Sequence, residues 1–261
     1  MNKESPMDKY TSSLEGRHIV IWGGTGGIGQ AIAKMLAYRG AKAISFTGRK
    51  LDAAEALAKE LEELGAKSFF RNVDRLDPND HDRFLEEAEE KMGIAITGVV
   101  DTVGISPNTP HLEQTVEEWQ KVMNINVIGS FIATRASAEH ILKQGNRGEI
   151  VLITSSNGVN SQASYSVHYD SSKIAQAHMM RTIAEPYMKQ GIRINAVAPG
   201  WVRTTEDMLP PDQSEIDKEM AKIWIGRFAD PEEIAAEVAH LLSPASGFTV
   251  GMNKLVDGGY R

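Results

Sequence analysis

Short apolar runs of strand type alternate with longer stretches of helical periodicity from one end of this 261-residue chain to the other, and that alternation leaves few folds open. The runs predicted as strands are HIVIWG (18–23), AISFTG (43–48), KSFFRNV (67–73), ITGVVDTV (96–103), GEIVLITS (148–155), IRINAVAPG (192–200) and MNKLVDGG (252–259). Between them apolar residues recur at three- and four-residue spacing, as they do on one face of a helix. One such stretch starts at Ile28 and stops at Gly40, a second runs from Leu51 to Gly65, and a third, residues 77–93, carries its acids early, where a helix N-terminus favours negative charge. Strand–helix–strand repeats of this kind make parallel strands joined by crossover helices. Several of the strands are apolar almost throughout, which requires cover on both faces. No Ser/Gly linker, charge block or internal repeat divides the chain. The expectation is one α/β domain: a doubly wound parallel sheet with helices on both faces, binding ligands at the carboxyl ends of its strands where the strand order reverses.

Composition removes several functions. There are no cysteines, so disulfides, thiolate–metal sites and cysteine nucleophiles are excluded. The seven histidines show no metal-ligand spacing, so no metal is expected. A formal charge of −7 argues against nucleic acid as a partner. No apolar run reaches the ~18 residues of a membrane span, and the polar first residues contain no apolar core of a secretory signal. Residues 1–15 are expected to form a loose lead-in, the remainder the folded domain, and the cytoplasm is the expected location.

The first predicted strand runs into Gly23-Gly24-Thr25-Gly26-Gly27-Ile28-Gly29, and a helix follows. Amides at a helix N-terminus point outward and carry partial positive charge, and glycines let the backbone approach a pyrophosphate closely. The turn therefore reads as a dinucleotide-phosphate loop. An acid at the end of the second strand would accept the adenosine ribose hydroxyls and favour NAD(H). The chain instead has Arg49 and Lys50 there, and a guanidinium forks well onto a 2′-phosphate. NADP(H) is favoured, with NAD(H) kept open.

The fifth predicted strand leads into Thr154-Ser155-Ser156-Asn157-Gly158, and further on Tyr169 precedes Lys173 by four positions, which places both on one helix face. An ammonium beside a phenol favours phenolate. A phenol so tuned can pass a proton to a carbonyl oxygen as hydride reaches the carbon, or remove the alcohol proton in reverse. A serine hydroxyl at the same oxygen would hold the substrate and stabilise developing charge.

With these residues in view, the chain resembles the short-chain dehydrogenase/reductase family over nearly its whole length. The likeness rests on Gly23, Gly27 and Gly29, on Tyr169-Asp170-Ser171-Ser172-Lys173, on Asn195 to Gly200, on Gly226-Arg227-Phe228 and on Val256-Asp257-Gly258-Gly259. The resemblance implies a Rossmann-type fold and a site residue by residue. Tyr169 would be the acid/base. Lys173 would lower its pKa and bind the nicotinamide ribose, Ser155 would hold the substrate oxygen, and Asn126 would support a proton relay through the lysine. Gly23, Thr25, Gly26, Gly27, Ile28 and Gly29 would hold the pyrophosphate side and Asp74 the adenine. Val103 and Gly104 would line the cleft, and Pro199, Gly200, Val202 and Thr204 would hold the carboxamide of the nicotinamide. A mobile substrate lid at about 204–225 and a homotetramer or dimer are implied as well. The partner would be a small ketone or secondary alcohol. The Tyr-to-Lys spacing is shorter than in the enoyl-reductase variant, so carbonyl chemistry is expected over alkene reduction.

Four features depart from the family pattern. Trp22 stands where a threonine is usual, and Asp101-Thr102-Val103-Gly104 stands for Asn-Asn-Ala-Gly. Gly26 lies where many NADPH-dependent members carry a base. The serine-to-tyrosine gap is one residue longer than usual; Ser155 is preferred as the active hydroxyl because Gly158 then keeps its usual offset, with Ser156 as the alternative. A nucleotide-binding regulator that kept the fold without the chemistry is the alternative to an enzyme. Trp119, Met123, Ile125 and Phe131 form a helical stripe expected in the core or a subunit contact, and His168 is expected to pack as a neutral residue.

Overall fold

A computed structural model describes residues 7, 10–160, 165–204 and 213–261. Among the described residues there are seven strands: β1 (His18–Trp22), β2 (Ala43–Thr47), β3 (Lys67–Arg71), β4 (Ile96–Asp101), β5 (Gly148–Ile153), β6 (Ile192–Pro199) and β7 (Asn253–Val256). They form one sheet in the order β3-β2-β1-β4-β5-β6-β7, and every neighbouring pair is parallel. The order reverses between β1 and β4, so the crevice lies beyond the carboxyl ends of those two strands. All seven predicted strands are found. Most are shorter at the carboxyl end than their apolar runs, because the last residues of each run turn out of the sheet into the ligand-facing loops.

The helices are α1 (Gly27–Tyr38), α2 (Leu51–Glu63), α3 (Pro78–Met92), α4 (Val116–Met123), α5 (Gly129–Lys143), α6 (Asn157–Asn160), α7 (Val167–Met188), α8 (Gln213–Ala221) and α9 (Pro231–Leu242). In α3 the Asp77 carboxylate caps the helix by accepting from the Asn79 amide, and Pro78 follows at the position where its missing N–H costs nothing. Alternate strand residues sort onto two cores. Ile19, Ile21, Val151 and Ile153 pack with α1, α2 and α9. Val20, Trp22, Ile150 and Leu152 pack with α3, α5 and α7.

Two expectations change, and part of a third falls outside the described residues. The lead-in is not loose throughout: Leu14 is fully buried in the first core, and its amide donates to the Arg39 carbonyl at 2.9 Å. Between α4 and α5 the chain makes a π-helical turn, Asn124–Ile128. That wider turn breaks the three- and four-residue periodicity, and the stripe does not go to the core. Phe131 is exposed, and Trp119, Met123 and Ile125 are half-buried, while the buried residue of α4 is Val122. Residues 205–212 of the expected lid, with Met208, Leu209, Pro210 and Pro211, lie outside the described residues.

Candidate active site

The glycine turn joins the end of β1 to α1 at the switch point. Gly23 has φ +91°, a conformation that a side chain would strain. A Cβ on Gly29 would lie 2.3 Å from the Gly23 carbonyl oxygen, so α1 can start this close to the turn only with glycine there. Gly26 is the N-cap of α1, and no side chain caps the helix. Its outward side is open, since an added Cβ would meet nothing nearer than the Gly23 oxygen at 3.7 Å. Ile28 follows in the first turn, half-buried against the first core. A bare helix N-terminus behind a backbone-only cradle fits a pyrophosphate.

The neighbouring strand ends complete this edge. Thr25 packs on Gly48, where a Cβ would stand 2.4 Å from the Thr25 hydroxyl oxygen. Arg49 and Lys50 follow, exposed, and neither pairs with a described residue. Beyond β3, Asp74 is exposed and its carboxylate accepts from the Leu76 amide at 2.9 Å. On the other flank, the segment after β6 folds back. The Gly200 amide donates to Val256 O and the Arg203 amide to Ala229 O, each at 2.9 Å. Val202 sinks into the first core, and Thr204 comes against Gly27. The structure thus brings Gly23 to Gly29, Arg49, Lys50, Asp74, Pro199, Gly200, Val202 and Thr204 to one rim.

The loops after β4 and β5 and helix α7 form the centre. Gly158 lies so close to α7 that a Cβ would meet the Lys173 carbonyl carbon at 3.1 Å, and this seats the serine loop on the helix. The Ser156 amide is held by Pro199 O at 2.8 Å, whereas the Ser155 hydroxyl accepts from the Asn157 amide at 3.1 Å and draws the Tyr169 hydroxyl's pKa down. Of the two serines, Ser155 is the one that faces the tyrosine. Lys173 is buried, and its ammonium donates to Ile153 O at 2.9 Å and Gln176 Oε1 at 3.0 Å. Its Nζ lies 5.7 Å from the centroid of the Tyr169 ring. Gly104 passes directly over this lysine, with an added Cβ only 3.2 Å from Nζ. Asn126, in the π turn and fully buried, clamps the same loop. Its amide nitrogen donates to Ile105 O at 2.9 Å, and its oxygen accepts from the Ile105 amide at 2.8 Å.

The electrostatics correct one sequence inference. The net shift of the phenol runs upward, opposite to the acidification expected from the ammonium. Burial holds the Tyr169 hydroxyl above its ordinary range; the Ser155 hydrogen bond opposes that rise and Asp170 adds to it. Burial likewise brings Lys173 down to about 8; Asp101 opposes the fall and Arg75 adds to it. Desolvation dominates because both groups face little water and the ammonium is turned toward Ile153 and Gln176.

The departures at Trp22 and Asp101-Thr102 are mutually fitted. The Thr102 hydroxyl lies 2.9 Å from both Trp22 O and Gly23 O. The Gly23 amide donates to the Thr47 hydroxyl at 3.0 Å, and the Trp22 indole donates to Ser137 at 3.1 Å. The turn is braced from β2 and β4 although the usual threonine is missing. Sequence reading missed Arg75, whose Nη2 pairs with Asp101 at 2.7 Å. It also missed Trp201, whose indole donates to Glu219 of α8 at 3.2 Å. His168 is buried beside Trp119.

Comparison with known proteins agrees with this geometry. Residues 23–261 match the family profile described as enoyl-(acyl carrier protein) reductase. The chain is 33% identical to a cis-4-hydroxycyclohexanecarboxylate dehydrogenase of Sinomonas cyclohexanicum, over 94% of this chain and 96% of that protein. It is 35% identical to an L-rhamnose-1-dehydrogenase of Scheffersomyces stipitis, over 95% and 97%. A short-chain dehydrogenase/reductase structure from Mycobacterium marinum superposes with a TM-score of 0.87 at 29% identity, covering 98% of this chain and 99% of that one. The glycine turn, the serine loop and the Tyr169–Lys173 helix at the switch point of this sheet accordingly place the chain in the short-chain dehydrogenase/reductase family, as an oxidoreductase of the nicotinamide-using type.

Proposed function

We propose that the protein is an NADP(H)-dependent alcohol dehydrogenase or carbonyl reductase that interconverts a secondary alcohol and its ketone. The observation that carries this reading is the cluster of buried Ser155 and Lys173 with half-buried Tyr169, at the carboxyl edge of the sheet that also carries the glycine cradle. The fit to the dinucleotide rests on the open side of Gly26, the bare start of α1 and the unpaired Arg49 and Lys50. Gly23 to Gly29 would hold the pyrophosphate, Arg49 and Lys50 the 2′-phosphate, and Asp74 the adenine. Val103, Gly104, Pro199, Gly200, Val202 and Thr204 would enclose the nicotinamide end. When bound, that group supplies or accepts the hydride.

The chain's own residues handle the proton. The Ser155 hydroxyl acts on the Tyr169 hydroxyl and draws its pKa down against burial, so their two oxygens can converge on one substrate oxygen. In reduction the Tyr169 hydroxyl gives its proton to that oxygen. In oxidation the Tyr169 oxygen takes the proton of the alcohol. A phenol is protonated at neutral pH and burial shifts this one further that way, so proton donation is its resting competence. Lys173 holds a positive charge behind it, and Asn126 fixes the loop over Lys173. Relatives named for NADP(+)-linked L-rhamnose oxidation in Thermoplasma acidophilum and for hydroxycyclohexanecarboxylate oxidation support alcohol–carbonyl chemistry over alkene reduction. The presence of Asn126, Ser155, Tyr169 and Lys173 together supports an enzyme over a regulator, since a nucleotide binder does not need all four. A homotetramer or dimer and a lid over 204–225 complete the proposal.

The test is a spectrophotometric panel: NADP(+) and NAD(+) with L-rhamnose and cis-4-hydroxycyclohexanecarboxylate, and NADPH with cyclic ketones. Turnover with NADP(H) above NAD(H) is expected. Tight NADPH binding with no turnover across the panel would refute the enzyme reading.

A further inference from the structure

Behind Lys173 a chain of buried polar side chains runs away from the reacting centre and ends on a carboxylate. Lys173 Nζ donates to Gln176 Oε1 at 3.0 Å. Gln176 Nε2 donates to Ser130 Oγ at 2.7 Å. Ser130 Oγ donates to Asp101 Oδ2 at 2.6 Å. Arg75 Nη2 closes the chain, donating to Asp101 Oδ2 at 2.7 Å and to Ser130 Oγ at 3.0 Å. Gln176 and Ser130 are fully buried, Asp101 is 1% exposed and the Arg75 side chain 10%.

The bonds all point one way. An ammonium can only donate, so the Gln176 oxygen must face Lys173, which turns the Gln176 nitrogen to Ser130. Ser130 accepts from Gln176 and Arg75 and so has its one proton left for Asp101. Aligned hydrogen bonds polarise one another, and here the alignment links a cation to an anion through two neutral groups. Four separate pieces of the chain build it: the loop after β3, the end of β4, the first turn of α5 and the middle of α7. The site is shaped for Arg75, since a Cβ on Gly129 would stand 2.5 Å from Arg75 Nε. Asp101 also receives the Val103 amide at 3.3 Å, at the root of the loop that carries Gly104 over Lys173.

We propose that Asp101, anchored by Arg75 and acting through Ser130 and Gln176, is a positioning residue for Lys173: it orients the ammonium and holds its charge inside the protein. This inference rests on the reading of Lys173 as part of the proton-handling centre. The charged and titratable groups around the chain are Tyr169 on the same helix as Lys173, Asp101 at the end of β4, Arg75 beyond it, and His81 of α3 beside Arg75 and Asp101. Asp101 favours the charged lysine and Arg75 disfavours it, so the pair sets a balance that neither residue sets alone.

The test reads Lys173 directly in the free protein. Lysine labelled with carbon-13 at Cε is followed by NMR through a pH titration, and the Lys173 signal is assigned by its loss in Lys173→Arg. The wild-type midpoint is expected near 8. Ser130→Ala cuts the chain without changing any formal charge, and it should lower the midpoint by about one pH unit, tenfold in proton affinity. Asp101→Asn should lower it further. A role confined to packing would lower thermal stability and leave the midpoint in place. An unmoved Lys173 midpoint in folded Ser130→Ala overturns the proposal. A moved midpoint upholds it whether or not any substrate turns over, so this result stands apart from the fate of the oxidoreductase assignment.

Discussion

Replacing Gly29 with alanine tests whether the nucleotide cradle is a matter of backbone approach. The added Cβ would stand 2.3 Å from Gly23 O and 3.0 and 3.1 Å from the Cα and C of Gly24. Unbonded carbon contacts settle at roughly 3.5–4 Å, so the start of α1 and the turn must part by about 1 Å. All three obstructing atoms are backbone, and no side chain can swing aside. Overpacking of this sort costs about 1–3 kcal/mol, and the rigidity of the neighbours places Gly29→Ala in the upper half. At about 2–4 °C per kcal/mol for a chain of this size, the melting temperature should fall by roughly 4–12 °C. Separating the turn from the helix start also moves the amides that would face the pyrophosphate, so NADPH affinity should fall more than ~10-fold, about 1.4 kcal/mol. Gly26→Ala is the internal control. Its φ of −78° suits any residue, and its Cβ would meet only one atom, at 3.7 Å, so stability should change by less than about 1 kcal/mol. Circular dichroism melts and quenching of tryptophan fluorescence by NADPH measure both effects. If Gly29→Ala melts like Gly26→Ala and binds NADPH like wild type, the close-approach argument is wrong.

Further predictions concern chemistry, selectivity and acid stability. Tyr169→Phe should lose about 10²- to 10⁴-fold in turnover while NADPH affinity, measured by the same quenching, stays within a few-fold. Because the phenol is held above its ordinary range, alcohol oxidation should rise with pH between about 6 and 9 as more phenolate forms, and a flat profile would contradict that. Arg49→Asp should shift the ratio of NADP(+) to NAD(+) turnover toward NAD(+) by about tenfold or more; an unchanged ratio would remove Arg49 from the 2′-phosphate site. At the start of α9, Arg227 and the Asp230 amide hold Glu233 at about 2, well below its ordinary 4.5. A lowered folded-state value means stabilisation that is complete above about 4.5 and lost as pH falls toward 2. The melting temperature of Glu233→Gln should therefore trail wild type at neutral pH and converge with it on acidification.

The parts of the site that were legible in the sequence are those written in local spacing. The glycine turn is a strand–turn–helix signal within seven residues, and Tyr169 and Lys173 share one helix face. The choice between Ser155 and Ser156 was not local, since it depends on which serine the β6 end holds at Pro199 and which it leaves for Tyr169. Arg75 could not be found by pattern. Its partner lies 26 positions away, and the two meet only because the order β3-β2-β1-β4 brings both loops to the same edge. The shift of Tyr169 was misjudged for a related reason. Helical spacing reports that two side chains are neighbours, but not that the ammonium turns toward Ile153 and Gln176 while both groups lose water. The core placement of the stripe from Trp119 to Phe131 failed on periodicity itself, since no residue type in Asn124–Ile128 marks a π turn; its placement at a subunit contact stands as a proposal.

That widened coil is a phase adjuster. At 3.6 residues per turn each position is worth about 100°, so deleting one residue from 124–128 would restore an ordinary helix and swivel α4 by roughly that angle against α5. Asn126 would leave Ile105, Thr109 would lose Glu118, while Ser130 stayed where Asp101 needs it. The surplus residue lets the segment before it follow the substrate-facing loop and the segment after it serve the lysine's support, so the two can vary in sequence without dragging each other out of alignment.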